Sequence, residues 1–290
     1  MKPAQEELVA RIVAQMEQGT APWVRPWSTS GISGMPHNVA THKQYHGVNV
    51  MQLWGEQTAM GFPTAEWCTF IQARELGGSV RKGERGTPVW FIAQREWSKT
   101  NEESGEQEQV EGLVWKQSYV FNRAQCDGLP EIGTATVTPF EPIDDAEAYV
   151  RAISADVRRG GDVAYYSPAG DFIAIPEPER FVDAAAFYGV LCHEAIHWSG
   201  AQTRLARKLQ NRFGDRAYAF EEFIAELGAA FTCVQLGLPS TLRHAEYLAT
   251  WAAALRDDPK ALWTAAAHAS RAADFLDKLA GRVHELAGAA

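Results

Sequence analysis

Three residues in one short run have the types and the spacing for metal-assisted hydrolysis: His193, Glu194 and His197, in the run His193-Glu194-Ala195-Ile196-His197. A four-residue offset on an α-helix puts both imidazoles on one face, one turn apart, where they can share a cation. Glu194, next to the first imidazole, is placed to take a proton from water and return it to a leaving group. The flanks support a helix. Residues 183–191 are apolar and helix-compatible, and Gly200 is a plausible stop.

A catalytic zinc takes three protein ligands and keeps a fourth position open. The third ligand is expected from a second helix, and residues 217–235 (AYAFEEFIAELGAAFTCVQ) supply one. Glu222 and Glu226 stand four apart on one face of it. A carboxylate on an otherwise apolar helix is costly to bury unless it is paired or bound to metal. We assign Glu222 as the third ligand. Glu226 is then its outer neighbour, fixing the tautomer of a ligand histidine, and the reverse assignment stays open. Glu221 is expected to face solvent. Zinc suits mixed imidazole and carboxylate ligation, with Mn2+ or another divalent ion as the alternative. Tyr218, or Tyr165 and Tyr166, are candidates for stabilising an oxyanion, although each has packing as its simpler role.

The first part of the chain carries a different chemistry. Single-stranded nucleic acid is held by bases stacked on aromatic rings and by cations on phosphate. Residues 23–54 contain Trp23, Arg25, Trp27, His42, Lys43, Tyr45, His46, Asn49 and Trp54. Arg81, Lys82 and Arg85 lie on a Gly-rich turn before a strand-like segment, a plausible grip for phosphate. The simpler reading makes Trp23 and Trp27 core aromatics and the basic turn an ordinary solvated hairpin.

These residues need elements to position them. Leu8, Ile12 and Met16 predict a helix over 3–18 that stops at Gly19. A short helix is expected over 64–76. Residues 87–97 and 113–122 read as paired strands, joined by the acidic stretch 101–111 as a solvated loop. Residues 143–157 look helical, and 162–176 read as two short strands around Ser167-Pro168-Ala169-Gly170. From about 182 the pattern is helical and Ala-rich. The expectation is an α+β chain: a domain over 1–128, a Pro-containing linker over 129–142, and a mostly helical domain with a small β-sheet over 143–290.

The 290 residues are 46% apolar and 22% charged, ordinary for a globular protein, and the net charge of −9 argues against a broadly basic nucleic-acid binder. No apolar run reaches the ~20 residues of a membrane span, and the N-terminus has no secretory h-region. Four scattered cysteines with no Cys-x-x-Cys argue against a disulfide framework or a thiolate metal site, and fit a reducing cytoplasm.

The runs FYGVLCHEAIHWSGAQTRLAR and FGDRAYAFEEFIAELGAAF resemble the zincin-like domain of ArdC-type antirestriction proteins. GTAPWVRPW, THKQYHGVNVMQLW, RKGERGTPVWF and YVFNRAQCDGL resemble the single-stranded-DNA-binding domain of the same family. The resemblance spans nearly the whole chain, in order. It implies a plasmid-borne protein that binds single-stranded DNA through its N-terminal domain and protects incoming DNA from restriction during conjugation. It also implies a metallopeptidase site acting on an unidentified protein or peptide. Position by position it places metal ligands on His193 and His197, the catalytic acid on Glu194 and the acidic ligand in 222–226. Two other readings compete: a DNA-masking protein with a non-catalytic metal site, and a regulatory metallopeptidase whose N-terminal domain recognises a protein.

Overall fold

In a computed structural model, residues 3–19, 34–100, 107–130, 142–207, 216–238 and 247–282 are described. The chain opens with helix α1 (Pro3–Glu17), whose Leu8, Val9, Ile12, Val13 and Met16 form one buried stripe. Strand β1 (His37–Asn38), helix α2 (Val48–Met60), strand β2 (Glu66–Cys68), helix α3 (Phe70–Glu75) and strand β3 (Ser79–Val80) follow. The long strands β4 (Thr87–Thr100) and β5 (Gln107–Asn122) then pair antiparallel, and β6 (Cys126–Asp127) pairs with β3. The main sheet has the order β1-β2-β5-β4.

The second half begins with helix α4 (Pro142–Ile153) and a three-stranded sheet of order β7-β9-β8, made of β7 (Asp156–Arg159), β8 (Tyr165–Ser167) and β9 (Phe172–Ile175). Four helices complete it: α5 (Ala184–Ser199), α6 (Arg216–Gln235), α7 (Leu248–Asp257) and α8 (Ala261–Leu279). The fold is thus helices with small sheets, as the α+β reading expected. No described helix is long and apolar enough to cross a membrane.

Three local expectations need correction. The stretch 64–76 is not one helix. Thr69 caps α3, with its Oγ1 accepting from the Gln72 amide at 3.2 Å and the Gln72 Oε1 accepting from the Thr69 amide at 2.9 Å, so the helix starts there. Trp67 and Cys68 before it pair instead with Asn122 and Phe121 of β5. The acidic stretch is not wholly a loop, since residues 107–111 continue β5 opposite 96–100. A charge count does not see that register, which is set by the partner strand. Helix α2 is not anticipated by the sequence pattern; its residues from Val48 to Gly55 are all buried, so this stretch has no solvated side to give a period.

The two halves share apolar packing. α1 packs on α7. Trp54 of α2 meets Phe231 of α6 with ring centroids 5.7 Å apart, and Trp90 of β4 meets Trp263 of α8 edge-on at 5.8 Å. One hydrophobic cluster runs from Leu8 to Leu276. Most of the expected linker, 131–141, lies outside the described residues.

α5 and α6 approach closely at Gly228, where an added Cβ would stand 2.8 Å from the Ile196 side chain. Ile196 is fully buried, so it can give way only by displacing its neighbours. Gly228→Val should therefore destabilise the fold by about 1–3 kcal/mol through overpacking, read as a lower urea midpoint. Adding Ile196→Ala to that variant should recover part of the loss. Alanine at 228 is the weaker test, because its helix propensity gains back about 1 kcal/mol over glycine.

Candidate metal centre

Helix α5 is started by Asp183, whose carboxylate accepts from the Ala186 amide at 2.7 Å. It is apolar on nearly every side because it runs through the interior, with β8 and β9 on one flank and α6 and α8 on others. His193 and Glu194 are therefore buried, and His197 nearly so. α6 lies against α5 and brings Glu221, Glu222 and Glu226 to the same contact, all three buried.

His193, His197 and Glu222 offer donor atoms that all lie within 4.8 Å of one another. The His193 and His197 Nε2 atoms are 3.2 Å apart. Glu222 Oε2 is 3.3 Å from the first and its Oε1 3.4 Å from the second. Four ligands placed tetrahedrally at ~2.0–2.1 Å around a zinc-sized ion stand roughly 3.3 Å from one another. The two imidazole nitrogens already stand near that spacing, and the Glu222 carboxylate reaches them through a different oxygen each, with one donor per residue within 4.8 Å of the others.

The outer nitrogens are also provided for. His197 Nδ1 lies 3.2 Å from Glu221 Oε1, and His193 Nδ1 lies 3.9 Å from Glu226 Oε1. A carboxylate facing Nδ1 favours the Nδ1–H tautomer, which leaves the Nε2 lone pair aimed inward. Glu221 is a correction. It does not face solvent; it is buried against His197 and Arg207, whose Nη2 donates to it at 2.9 Å. Local pattern does not see the turn that carries Arg207 and covers that side of α6. Sequence reasoning missed Arg207 altogether, since nothing in the local pattern distinguishes it from a surface arginine.

The charges fit a cation. Glu194, Glu221, Glu222 and Glu226 are buried together, and Arg207 is the one buried arginine among the described residues. Carboxylates out of water require compensation. With protons alone the imidazoles must supply it. Burial pulls the His197 pKa down, but Glu221 and Glu222 more than reverse this and raise it to about 10. Burial likewise raises the Glu222 carboxyl, and the two histidines overcome it and hold it far below the usual carboxylate range. A divalent ion among the donors would satisfy the same carboxylates without protonating either imidazole.

Tyr218 stands one turn before Glu222 on α6. Its hydroxyl hydrogen-bonds Glu222 and lies near Glu194, and burial, then Glu222, pushes its pKa up. The other two tyrosines are engaged elsewhere. Tyr166 bonds Asp171 at 2.9 Å and Arg204 at 3.2 Å, and Tyr165 is exposed and packs edge-on to Phe172.

The residues expected to hold nucleic acid divide into three groups. Trp23, Arg25 and Trp27 lie outside the described residues. Tyr45, Asn49 and Trp54 are a correction, because they are core. Tyr45 is 1% exposed and Trp54 fully buried, so neither ring can receive a base. Asn49 is spent on the backbone of Trp90, donating to its carbonyl at 2.7 Å and accepting from its amide at 2.8 Å. Lys43 is half-buried. Arg81, Lys82 and Arg85 are exposed on the turn before β4, with Arg81 bonded to Glu84 at 2.9 Å. Beside that turn Gly86 sits against Tyr119 and Phe121 of β5, and Tyr119 is 54% exposed. These two rings were read only as part of an alternating strand.

Comparison with known proteins agrees with this arrangement. Residues 2–121 match the N-terminal domain of anti-restriction factor ArdC, and 144–268 match a zincin-like metallopeptidase domain. The y4eC protein of Sinorhizobium fredii is 39% identical over 93% of this chain and 90% of its own length. A DNA primase TraC of Escherichia coli is 35% identical over 95% of this chain, which spans only 27% of that protein. The crystal structure of metal-free antirestriction protein ArdC from plasmid R388 superposes with a TM-score of 0.80 at 38% identity, covering 98% of this chain and 100% of that one. Its Mn(II)-bound form superposes at 0.76 with 37% identity, over 95% and 97%. A donor set suited to a divalent metal, lying on a fold shared along its whole length with these relatives, places the chain in the ArdC antirestriction family, with that family's N-terminal domain followed by a zincin-like metallopeptidase domain.

Proposed function

We propose that the protein binds single-stranded DNA with its N-terminal half, and that His193, His197 and Glu222 hold a zinc ion in a peptidase site. The biological role is protection of incoming plasmid DNA from host restriction during conjugation. The observation that carries the hydrolase reading is a pair of imidazole nitrogens 3.2 Å apart, with one Glu222 oxygen 3.3 Å from the first and the other 3.4 Å from the second, and Glu194 buried next to His193 in the chain. Two imidazoles and a glutamate make a common catalytic zinc set. Manganese, present in the R388 relative, is the alternative ion.

When bound, such an ion polarises a carbonyl and acidifies water. The chain does the rest. Glu194 takes the proton of the attacking water and delivers it to the leaving amine. A purely structural site has no use for that carboxylate, which favours catalysis over a masking role. Glu221 and Glu226 orient the imidazoles, and the Tyr218 hydroxyl, beside Glu222, is a neutral donor for negative charge developing on the substrate.

For DNA, the exposed Tyr119 beside Arg81, Lys82 and Arg85 combines a stacking ring with cations, the pairing that single strands require. It supports binding despite the net charge of −9, because the basic turn is local. The relatives named DNA primases contain a region similar to this chain, a further pointer to nucleic acid.

Glu194→Gln should keep its metal, measured by elemental analysis, and lose peptide hydrolysis by roughly 10²–10⁴-fold. Retained hydrolysis would remove Glu194 from the mechanism. His193→Ala with His197→Ala should abolish metal uptake, and full retention would place the ligands elsewhere. Tyr119→Ala should weaken binding of a single-stranded oligonucleotide roughly 5- to 100-fold. Replacing Arg81, Lys82 and Arg85 together by Ala should flatten the slope of log affinity against log salt by about 2, at ~0.7 per phosphate contact on a single strand. An unchanged slope in fluorescence anisotropy would take the basic turn out of the DNA site.

A further inference from the structure

After α5 the chain doubles back. The Leu205 amide donates to the Ser199 carbonyl at 3.0 Å, and the Arg207 amide donates to the Gly200 carbonyl at 2.9 Å. Between them Ala206 adopts a left-handed φ of 50°, a conformation a non-glycine residue takes only where its surroundings hold it. This turn carries Arg207 underneath the end of α5, where its side chain is only 4% exposed.

Each nitrogen of the buried guanidinium is used. Nη2 donates to the Ile196 carbonyl at 2.6 Å and to Glu221 Oε1 at 2.9 Å, Nε donates to Glu221 Oε2 at 3.2 Å, and Nη1 donates to Ser199 Oγ at 3.0 Å. Ile196 lies one residue before the ligand His197, and Glu221 one residue before the ligand Glu222. Glu221 Oε1, held by Arg207, is also the atom that faces His197 Nδ1 at 3.2 Å. One planar fork thus grips the last turn of α5 and the acidic turn of α6 beside the centre.

We propose that Arg207 is a positioning residue of the metal centre. It fixes the Glu221 carboxylate, and through it the His197 ring, so that the donor triangle is formed before an ion arrives. The inference rests on the divalent-metal reading given above. A lysine would keep the charge but lose the planar, two-nitrogen grip on Glu221, so charge and geometry can be separated. Groups just outside the ligands typically change metal affinity by roughly 10- to 100-fold.

The test is Co(II) titration of the full-length protein, followed by visible absorption, with zinc competition for affinity. The wild type should bind one Co(II) per chain. Arg207→Lys and Arg207→Met should each bind roughly 10- to 100-fold more weakly, with an altered d–d spectrum. If Arg207 acts through Glu221, adding Arg207→Met to Glu221→Gln should cause little further loss. A merely structural arginine would lower thermal stability but leave affinity and spectrum alone. Circular dichroism checks folding, and Arg207→Lys decides the matter if Arg207→Met does not fold. Wild-type affinity and spectrum in Arg207→Lys, or losses that multiply in the double variant, would overturn the proposal. No Co(II) uptake by the wild type would instead overturn the divalent-metal reading, and this inference with it.

Discussion

The centre of the molecule is governed by the burial of Glu194, Glu221, Glu222 and Glu226 at the contact of two helices. Negative charge out of water is tolerated only beside positive charge. The folded chain brings Arg207 and two imidazoles to these carboxylates, and it spaces the inner donors for a cation. The same demand accounts for the layout around it. Glu221 and Glu226 face the outer nitrogens of His197 and His193, and Glu222 faces both inner ones.

Such a site works only if its helices do not shift. α5 and α6 meet at glycine, with Ile196 against Gly228, and their contact is backed by α8. Close packing in that interior restricts side-chain movement, which helps the donors keep their spacing. Preorganisation of this kind favours metal binding, since ligands that must be gathered cost binding energy.

The N-terminal half is fastened to this frame rather than hung from it. Trp54 packs on the same α6 that carries Glu222, and Trp90 packs on α8. Asn49, bonded to both backbone groups of Trp90, ties α2 to the long hairpin that bears Tyr119. The aromatic residues of this half therefore serve two ends. Trp54 of α2 and Trp90 of the hairpin build the shared core, whereas Tyr119 of the hairpin is exposed.

Much of this was legible in the chain. A four-residue histidine offset on an apolar stretch determined the metal helix, because helical geometry alone aligns i and i+4. The cost of putting a carboxylate on an apolar helix singled out Glu222, which the fold brings to His193 and His197. Leu8, Ile12 and Met16 marked α1 for the same periodic reason, and the β4–β5 pair was visible in its alternating segments. What stayed hidden is whatever depends on a partner distant in sequence. Tyr45, Asn49 and Trp54 are of the right types to bind DNA, yet β4 meets the first two and α6 the third, and composition carries no record of that cover. Glu221 looks solvated until the turn after α5 lays Arg207 over it. Local pattern decides which side of an element is apolar; only tertiary packing decides which polar groups are shut in together, because their desolvation and pairing depend on neighbours the chain reaches by folding.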